Sequence, residues 1–220
     1  METPAPVALS SGAEARLWGA PAEVAVVCAN GGQPRDLAGT WSASIEWLVR
    51  RLVPSFPALR FVELRYRVRS WKRLDLCVED LLAAIEASAA SRTLLMGFSM
   101  GGAVSVRAAA HPTVGGVLGL APWLPDQLDV APLRGRRLDV LHGALDRWLP
   151  GIPGVSPALS RRGFERARRL DVDGSYTLIP GAVHAVALRS PWNGLVPLPR
   201  AGRWVELARE RIAPYVPRPI

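Results

Sequence analysis

The hydrophobic positions of this chain fall into two rhythms that take turns along its length. Val24-Ala25-Val26-Val27-Cys28 is apolar at every place, Thr93 to Phe98 nearly so, and Leu59 to Tyr66 is a third apolar run. An apolar run without alternation fits a strand covered on both faces, as in a parallel sheet. Between the runs the spacing changes. Trp41, Ile45, Leu48, Val49 and Leu52 recur at helical intervals over Thr40 to Leu52, with Pro54 as the stop, and Leu74, Val78, Leu81, Leu82 and Ile85 mark a helix from about Asp75 to Ala89. The pattern continues as a helix over Gly101 to Ala110, strands over Gly116 to Leu120 and Leu138 to His142, a helix over Ser156 to Leu170, a strand over Tyr176 to Ile179 and a last helix over Arg203 to Ile212. Two short strands, Val7 to Ser10 and Ala15 to Trp18, precede all of this as a hairpin around Ser11-Gly12. Strands alternating with helices predict an α/β fold: a doubly wound, mostly parallel sheet with antiparallel N-terminal strands.

Composition narrows the picture. With 220 residues, 49% of them hydrophobic, the expectation is one domain spanning 1–220 with a well-buried core. Cys28 and Cys77 are the only cysteines, which excludes a disulfide scaffold. Met1 to Arg16 has no signal-peptide pattern and no apolar stretch reaches membrane-spanning length, so a cytoplasmic protein is expected, with no membrane partner. The net charge is +8, and Lys72 is the only lysine among 27 basic residues. Because the arginines are spread out and form no stripe, arginine-rich coding accounts for them better than a nucleic-acid surface does. An acidic acyl-carrier protein remains a partner that the charge would suit. Arg65, Arg67, Arg69 and Arg73 form the densest cluster; a solvated rim fits them better than a subsite for a carboxylate or phosphate.

In an open α/β sheet, chemistry belongs to the loops that follow the strands' carboxyl ends. Gly97-Phe98-Ser99-Met100-Gly101 lies at such a place, where an apolar strand meets a helix. As a bare G-x-S-x-G it could arise by accident in a glycine-rich chain, but at a strand-to-helix turn it would lift the Ser99 hydroxyl clear of the sheet. It would also set the Met100 N–H at a helix N-terminus, where a developing oxyanion is stabilised. A serine hydroxyl needs a base. Of three histidines, His111 falls on the far side of the sheet, and His142 ends a strand where a core or supporting role fits better than catalysis. His184 follows the last long strand and opens on the same edge as Ser99. The acid that fixes its tautomer is then Asp146, with Asp126 and Asp129 as rivals; Asp139, Asp171 and Asp173 suit solvated or capping roles better. Asn30-Gly31-Gly32 follows the first long parallel strand and could give a second oxyanion N–H, most plausibly from Gly32.

These residues resemble the α/β-hydrolase superfamily: the turn Gly97-Phe98-Ser99-Met100-Gly101-Gly102, then His142-Gly143-x-x-Asp146, then Gly181-x-x-His184, in the family's order. Leu64 to Arg69 and Leu120 to Pro125 are similar to small actinobacterial members, themselves loosely similar to dienelactone hydrolases and serine esterases. Asn30 stands where the family usually has histidine, and Pro122 to Arg136 leaves room for a minimal lid at most. The resemblance implies a serine hydrolase that cleaves a small-molecule carboxylic ester or thioester through an acyl-enzyme on Ser99, with no metal and no organic cofactor. A non-hydrolytic cyclase or lyase of the same fold, or a silent binding protein, are the alternatives. Trp41, Trp71, Trp123, Trp148 and Trp192 all follow strand ends. They would line a substrate pocket over Ser99, or else pack the loops where a lid is missing.

Overall fold

The apolar runs become strands whose alternate side chains feed two separate cores. In β3 (Val24–Ala29), Val24, Val26 and Cys28 face one layer while Ala25, Val27 and Ala29 face the other. In β5 (Arg92–Phe98), Leu94, Met96 and Phe98 share the first face and Leu95 the second. The computed structural model describes residues 2–147 and 154–217. The remaining long elements are β1 (Pro6–Ala8), β2 (Glu14–Trp18), α1 (Ala43–Leu52), β4 (Leu59–Arg65), α2 (Leu74–Ser88), α3 (Met100–Ala108), β6 (Val114–Leu120), β7 (Arg137–Gly143), α4 (Pro157–Arg168), β8 (Asp173–Ile179), β9 (Ala187–Arg189), β10 (Leu195–Pro197) and α5 (Ala201–Ile212).

Eight strands form one sheet in the order β1-β2-β4-β3-β5-β6-β7-β8, in which β2 alone runs against the rest. Residues of α1 and α5 pack on the face that takes Val26 and Met96; those of α2, α3 and α4 pack on the face that takes Val27 and Leu95. Strand order reverses around β3, with β4 on one side and β5 on the other, which opens a crevice beyond their carboxyl ends. Among the described residues no helix is long and apolar enough to cross a membrane.

Most expected boundaries shift by one to three residues, for local reasons. α1 starts at Ala43, because the Ser42 hydroxyl accepts from the Ile45 N–H at 3.3 Å and caps the helix there; Thr40 and Trp41 stay in the loop. The hairpin of β9 and β10 was not expected: three residues per strand carry too little periodicity to show in the sequence. Between β6 and β7 the chain forms only one short helical turn, Ala131–Leu133, so among the described residues no lid covers the strand ends. Asp139, expected at the surface, is buried on β7 and neutralised by Arg137, whose Nε lies 2.7 Å away, and by the Ser175 hydroxyl.

At the β2–β4 edge of the sheet, Arg16 lies between two buried carboxylates, 3.1 Å from Glu46 and 3.5 Å from Glu63. Glu46 also meets Arg50 and Arg189 at 2.8 Å each; burial opposes its charge, but these partners lower its pKa. Glu63 has fewer partners. Its Oε2 accepts from the Trp18 Nε1–H at 3.4 Å, its Oε1 has no partner among the described residues, and burial raises its pKa to about 7. Between the ordinary glutamate value and about 7, the folded chain keeps a proton that the unfolded chain has lost. Stability therefore falls as pH rises across that window and levels off above it. Glu63→Gln removes this dependence: urea unfolding at pH 5 and pH 8 should show wild-type stability falling more than the variant's, by on the order of 2 to 3 kcal/mol.

Candidate active site

Ser99 occupies the turn between β5 and α3 with φ 54° and ψ −118°, a left-handed backbone that a residue with a Cβ seldom adopts. Hydrogen bonds on both sides hold it there. The Ser99 N–H donates to the Leu120 carbonyl at 3.0 Å, and the Ser99 carbonyl accepts from Gly102 at 2.9 Å and Trp123 at 2.8 Å. The flanking glycines are required by proximity. A Cβ on Gly97 would stand 2.4 Å from the Gly101 carbonyl oxygen, and one on Gly101 would stand 2.3 Å from that of Ala29. α3 is thereby drawn against β3 and β5, and the hydroxyl is presented at the crevice.

His184 and Asp146 arrive from two other strand ends. His184 Nε2 lies 3.0 Å from Ser99 Oγ, and His184 Nδ1 lies 2.7 Å from Asp146 Oδ2. The His184 loop is secured to the β7 loop, because the Leu145 N–H donates to the Ala182 carbonyl at 2.9 Å and the Ala144 N–H donates to that of Ile179 at 3.0 Å. Gly143 permits this approach, since a Cβ there would meet the Val183 oxygen at 2.5 Å. On the other side, the Val186 N–H donates to the Ser44 hydroxyl of α1 at 3.0 Å, and the Phe98 ring tilts against the imidazole with centroids 5.1 Å apart.

Asp146 is buried, which would raise its pKa; hydrogen bonds from His142 and His184 and their electrostatic attraction overcome this and hold it below the usual carboxylate range. Its second oxygen, Oδ1, accepts from the Val155 N–H at 3.0 Å. The two rival acids lie elsewhere. Asp126 is an exposed partner of Arg162 and Arg166, and Asp129 accepts from the Ala131 N–H. As α3's first residue, Met100 has an N–H with no acceptor inside the helix. In the facing loop the Gly31 N–H is engaged by Asn30 Oδ1 at 2.6 Å, which leaves Gly32 as the second amide at the crevice. Asn30 also donates through Nδ2 to the Thr40 carbonyl at 2.8 Å, so it folds this loop back on itself. Gly32 packs on the Met100 side chain closely enough that a Cβ would fall 2.1 Å from its Sδ.

A cleft of about 490 Å³ opens over Ser99. Trp41, Trp71 and Trp123 line it, the last two stacked with centroids 6.1 Å apart. Trp192 does not line it. It stands 90% exposed at the turn of the β9–β10 hairpin, which carries it away from the sheet's edge. Trp148 lies outside the described residues. The arginine cluster separates: Arg65 pairs with Glu14, and Arg67 with Asp80 and Glu79, whereas Arg69 lines the cleft with a buried Nε that has no partner among the described residues. Val155 supports the site without any signal in the sequence; His142, expected in a core or supporting role, reaches the Asp146 carboxylate, and Asn30, expected only as part of the glycine turn, holds that loop. The signal that His142 left is its spacing of four to Asp146.

No protein-family model matches the sequence, and no curated protein matches it either. Solved structures do match over nearly the whole chain. An α/β hydrolase from a Medee basin deep-sea metagenome superposes with a TM-score of 0.71 at 15% identity, covering 98% of this chain and 99% of that one. Dienelactone hydrolase from Anabaena variabilis gives 0.65 at 17% identity over 98% and 99%. A serine hydrolase without a lid from Xanthomonas campestris gives 0.62 at 16% over 100% and 98%. The chain therefore has the α/β-hydrolase fold, in a lidless form.

The glycine contacts yield a direct test. Gly101→Ala should cost about 2 kcal/mol or more in chemical denaturation and displace the Ser99 turn, because the clash is with backbone. Gly202→Ala, on an exposed turn of α5 with nothing within 4 Å of the added methyl, should stay within about 1 kcal/mol of wild type.

Proposed function

We propose that the protein is a serine hydrolase that cleaves a carboxylic ester or thioester through an acyl-enzyme on Ser99. One observation carries this reading: a continuous hydrogen-bonded chain from Ser99 through His184 to a buried carboxylate, starting at a strained turn at the N-terminus of α3. Because Asp146 Oδ2 accepts from His184 Nδ1–H, the lone pair of the neutral ring sits on Nε2 and faces the Ser99 hydroxyl. Ser99 Oγ attacks the acyl carbonyl as its proton passes to His184 Nε2. The oxyanion is met by the Met100 and Gly32 N–H groups. His184 then protonates the departing alcohol or thiol, leaving the acyl group on Ser99. A water that gives its proton to His184 attacks this ester, and collapse of the second tetrahedral intermediate frees the acid and returns the proton to Ser99. The hydrolase names of the structural neighbours agree with this chemistry class.

The cleft supports a substrate with an apolar acyl or aryl portion, held against the Trp71–Trp123 stack and Trp41. Arg69 also lines the cleft, and its guanidinium brings a positive charge to this wall that favours a substrate carrying a negative one. An anionic ester or thioester fits this wall best.

Two measurements test the reading. Ser99→Ala should abolish both labelling by a fluorophosphonate probe and turnover of a panel of acyl p-nitrophenyl esters and acyl thioesters; unchanged turnover in that variant would exclude the mechanism. Arg69→Ala should raise KM about tenfold for the p-nitrophenyl monoester of succinic acid and leave p-nitrophenyl butyrate unaffected, as expected for one lost charge-assisted hydrogen bond.

A further inference from the structure

Asp146 Oδ2 meets two imidazoles. His184 Nδ1 lies 2.7 Å away on the cleft side, and His142 Nε2 lies 2.9 Å away on the core side. His142 is fully buried at the end of β7, and its Nε2 is also 2.9 Å from the Val155 carbonyl oxygen. A carboxylate and a carbonyl are acceptors only, so this nitrogen carries a proton shared between them. The other ring nitrogen, Nδ1, lies 2.8 Å from the Ser160 hydroxyl of α4. Ser160 is in turn 2.8 Å from the Tyr176 hydroxyl of β8, which also reaches the Pro157 carbonyl at 2.8 Å. With Ser160 donating to Nδ1 and Tyr176 donating to Ser160 or Pro157, a neutral His142 has both ring nitrogens partnered. The titratable and charged groups along this chain are Asp146 and His184 at one end and Tyr176 at the other, with Arg161 over the tyrosine ring at 4.2 Å and Glu165 within electrostatic reach.

We propose that His142 is a positioning residue for the triad: its Nε2–H fixes the Asp146 carboxylate in the orientation that meets His184 and takes up part of its negative charge. The proposal rests on the reading of Ser99, His184 and Asp146 as a triad. Without His142, Oδ1 keeps the Val155 N–H but Oδ2 keeps only His184 among the described residues, so the carboxylate loses its core-side restraint on Oδ2 and can turn more freely. Two effects follow. The imidazole that Asp146 orients loses its fixed direction, which lowers kcat. The full charge of Oδ2 then falls on His184, which favours its protonated form and moves the acidic limb of kcat/KM to higher pH.

The test uses the full chain with p-nitrophenyl acetate between pH 5 and 9, with active sites counted by fluorophosphonate labelling. His142→Leu should lower kcat per labelled site about tenfold or more and raise the acidic limb by at least about half a pH unit. His142→Gln, whose amide N–H reaches to a similar distance, should restore most of both, and Ser160→Ala should move both in the same direction by less. Wild-type kcat per site and an unmoved limb in His142→Leu would overturn the proposal and leave His142 a packing residue. If His142→Leu does not fold, Ser160→Ala decides by the same two readouts, and wild-type values for both would overturn it. Asp146→Asn separates the two levels: full activity there would defeat the triad itself, whereas lost activity there with an unaffected His142→Leu would defeat only the role of His142.

Discussion

The backbone at Ser99 is the constraint on which the rest of the site depends. A residue with a Cβ held at φ 54° is strained by on the order of 1 to 3 kcal/mol, and such strain persists only when the surroundings over-determine it. Here they do. β6 receives the Ser99 N–H, the loop after β6 donates to the Ser99 carbonyl through Trp123, and three glycines let α3 approach β3, β5 and Pro122 more closely than any side chain would allow. The same packing sets the first turn of α3, whose N–H groups have no acceptor inside the helix, directly after Ser99. In the proposed mechanism, nucleophile position and oxyanion donor are therefore one feature of the backbone, and a change that relaxes the turn loses both.

The second node is Asp146, a carboxylate taken out of water at the end of β7. An isolated charge in that place would be protonated. Three donors prevent it: the Val155 N–H on Oδ1, and the two histidines on Oδ2. The loops after β7 and β8 are laced together by the Ala144 and Leu145 amides, so the backbone brings Asp146 and His184 within reach of each other and the side-chain contacts complete the alignment. Main-chain contacts among the loops that follow β5, β6, β7 and β8 thus bring Ser99, Asp146 and His184 to one place.

How much of this could be read in the sequence follows from the range of each signal. The strands that feed both cores, such as β3 and β5, announce themselves because double burial demands uninterrupted apolar residues. The position of Ser99 was legible for a related reason, because it ends the run of β5; Asp146 and His184 follow the mixed strands β7 and β8, and their convergence was legible from topology, which puts those strand ends on one edge. Features set by contacts between distant segments were not legible. The four arginines at Arg65, Arg67, Arg69 and Arg73 look alike along the chain; which of them is paired depends on Glu14 of β2, Glu79 and Asp80 of α2, and Asp36 of the loop after β3. Trp192 reads like Trp123, yet one stands on a hairpin turn in solvent and the other in a loop pinned to the Ser99 carbonyl. Asp139 reads as a surface charge because, beyond its neighbour Arg137, the groups that complete its burial come from far along the chain: the Ser175 hydroxyl of β8 donates to it, and Arg211 of α5 adds a second positive charge.

The absence of a lid bears on what kind of chemistry this geometry can perform. A site that must keep a reactive intermediate from water needs a cover, and the link between β6 and β7, where one would be inserted, holds a single short helical turn. Acyl-enzyme hydrolysis has the opposite need, because water is its second substrate and must reach the serine ester while the acyl group is still bound. The stacked Trp71 and Trp123 give the acyl portion an apolar wall, while His184 keeps 15% of its side chain exposed, enough to meet a water from the solvent side. A wall on one side and solvent on the other is the arrangement that deacylation asks for. It disfavours eliminations and cyclisations, in which the same water would compete with the productive step. The open edge is therefore a physical reason to place hydrolysis ahead of the other chemistries that this fold supports.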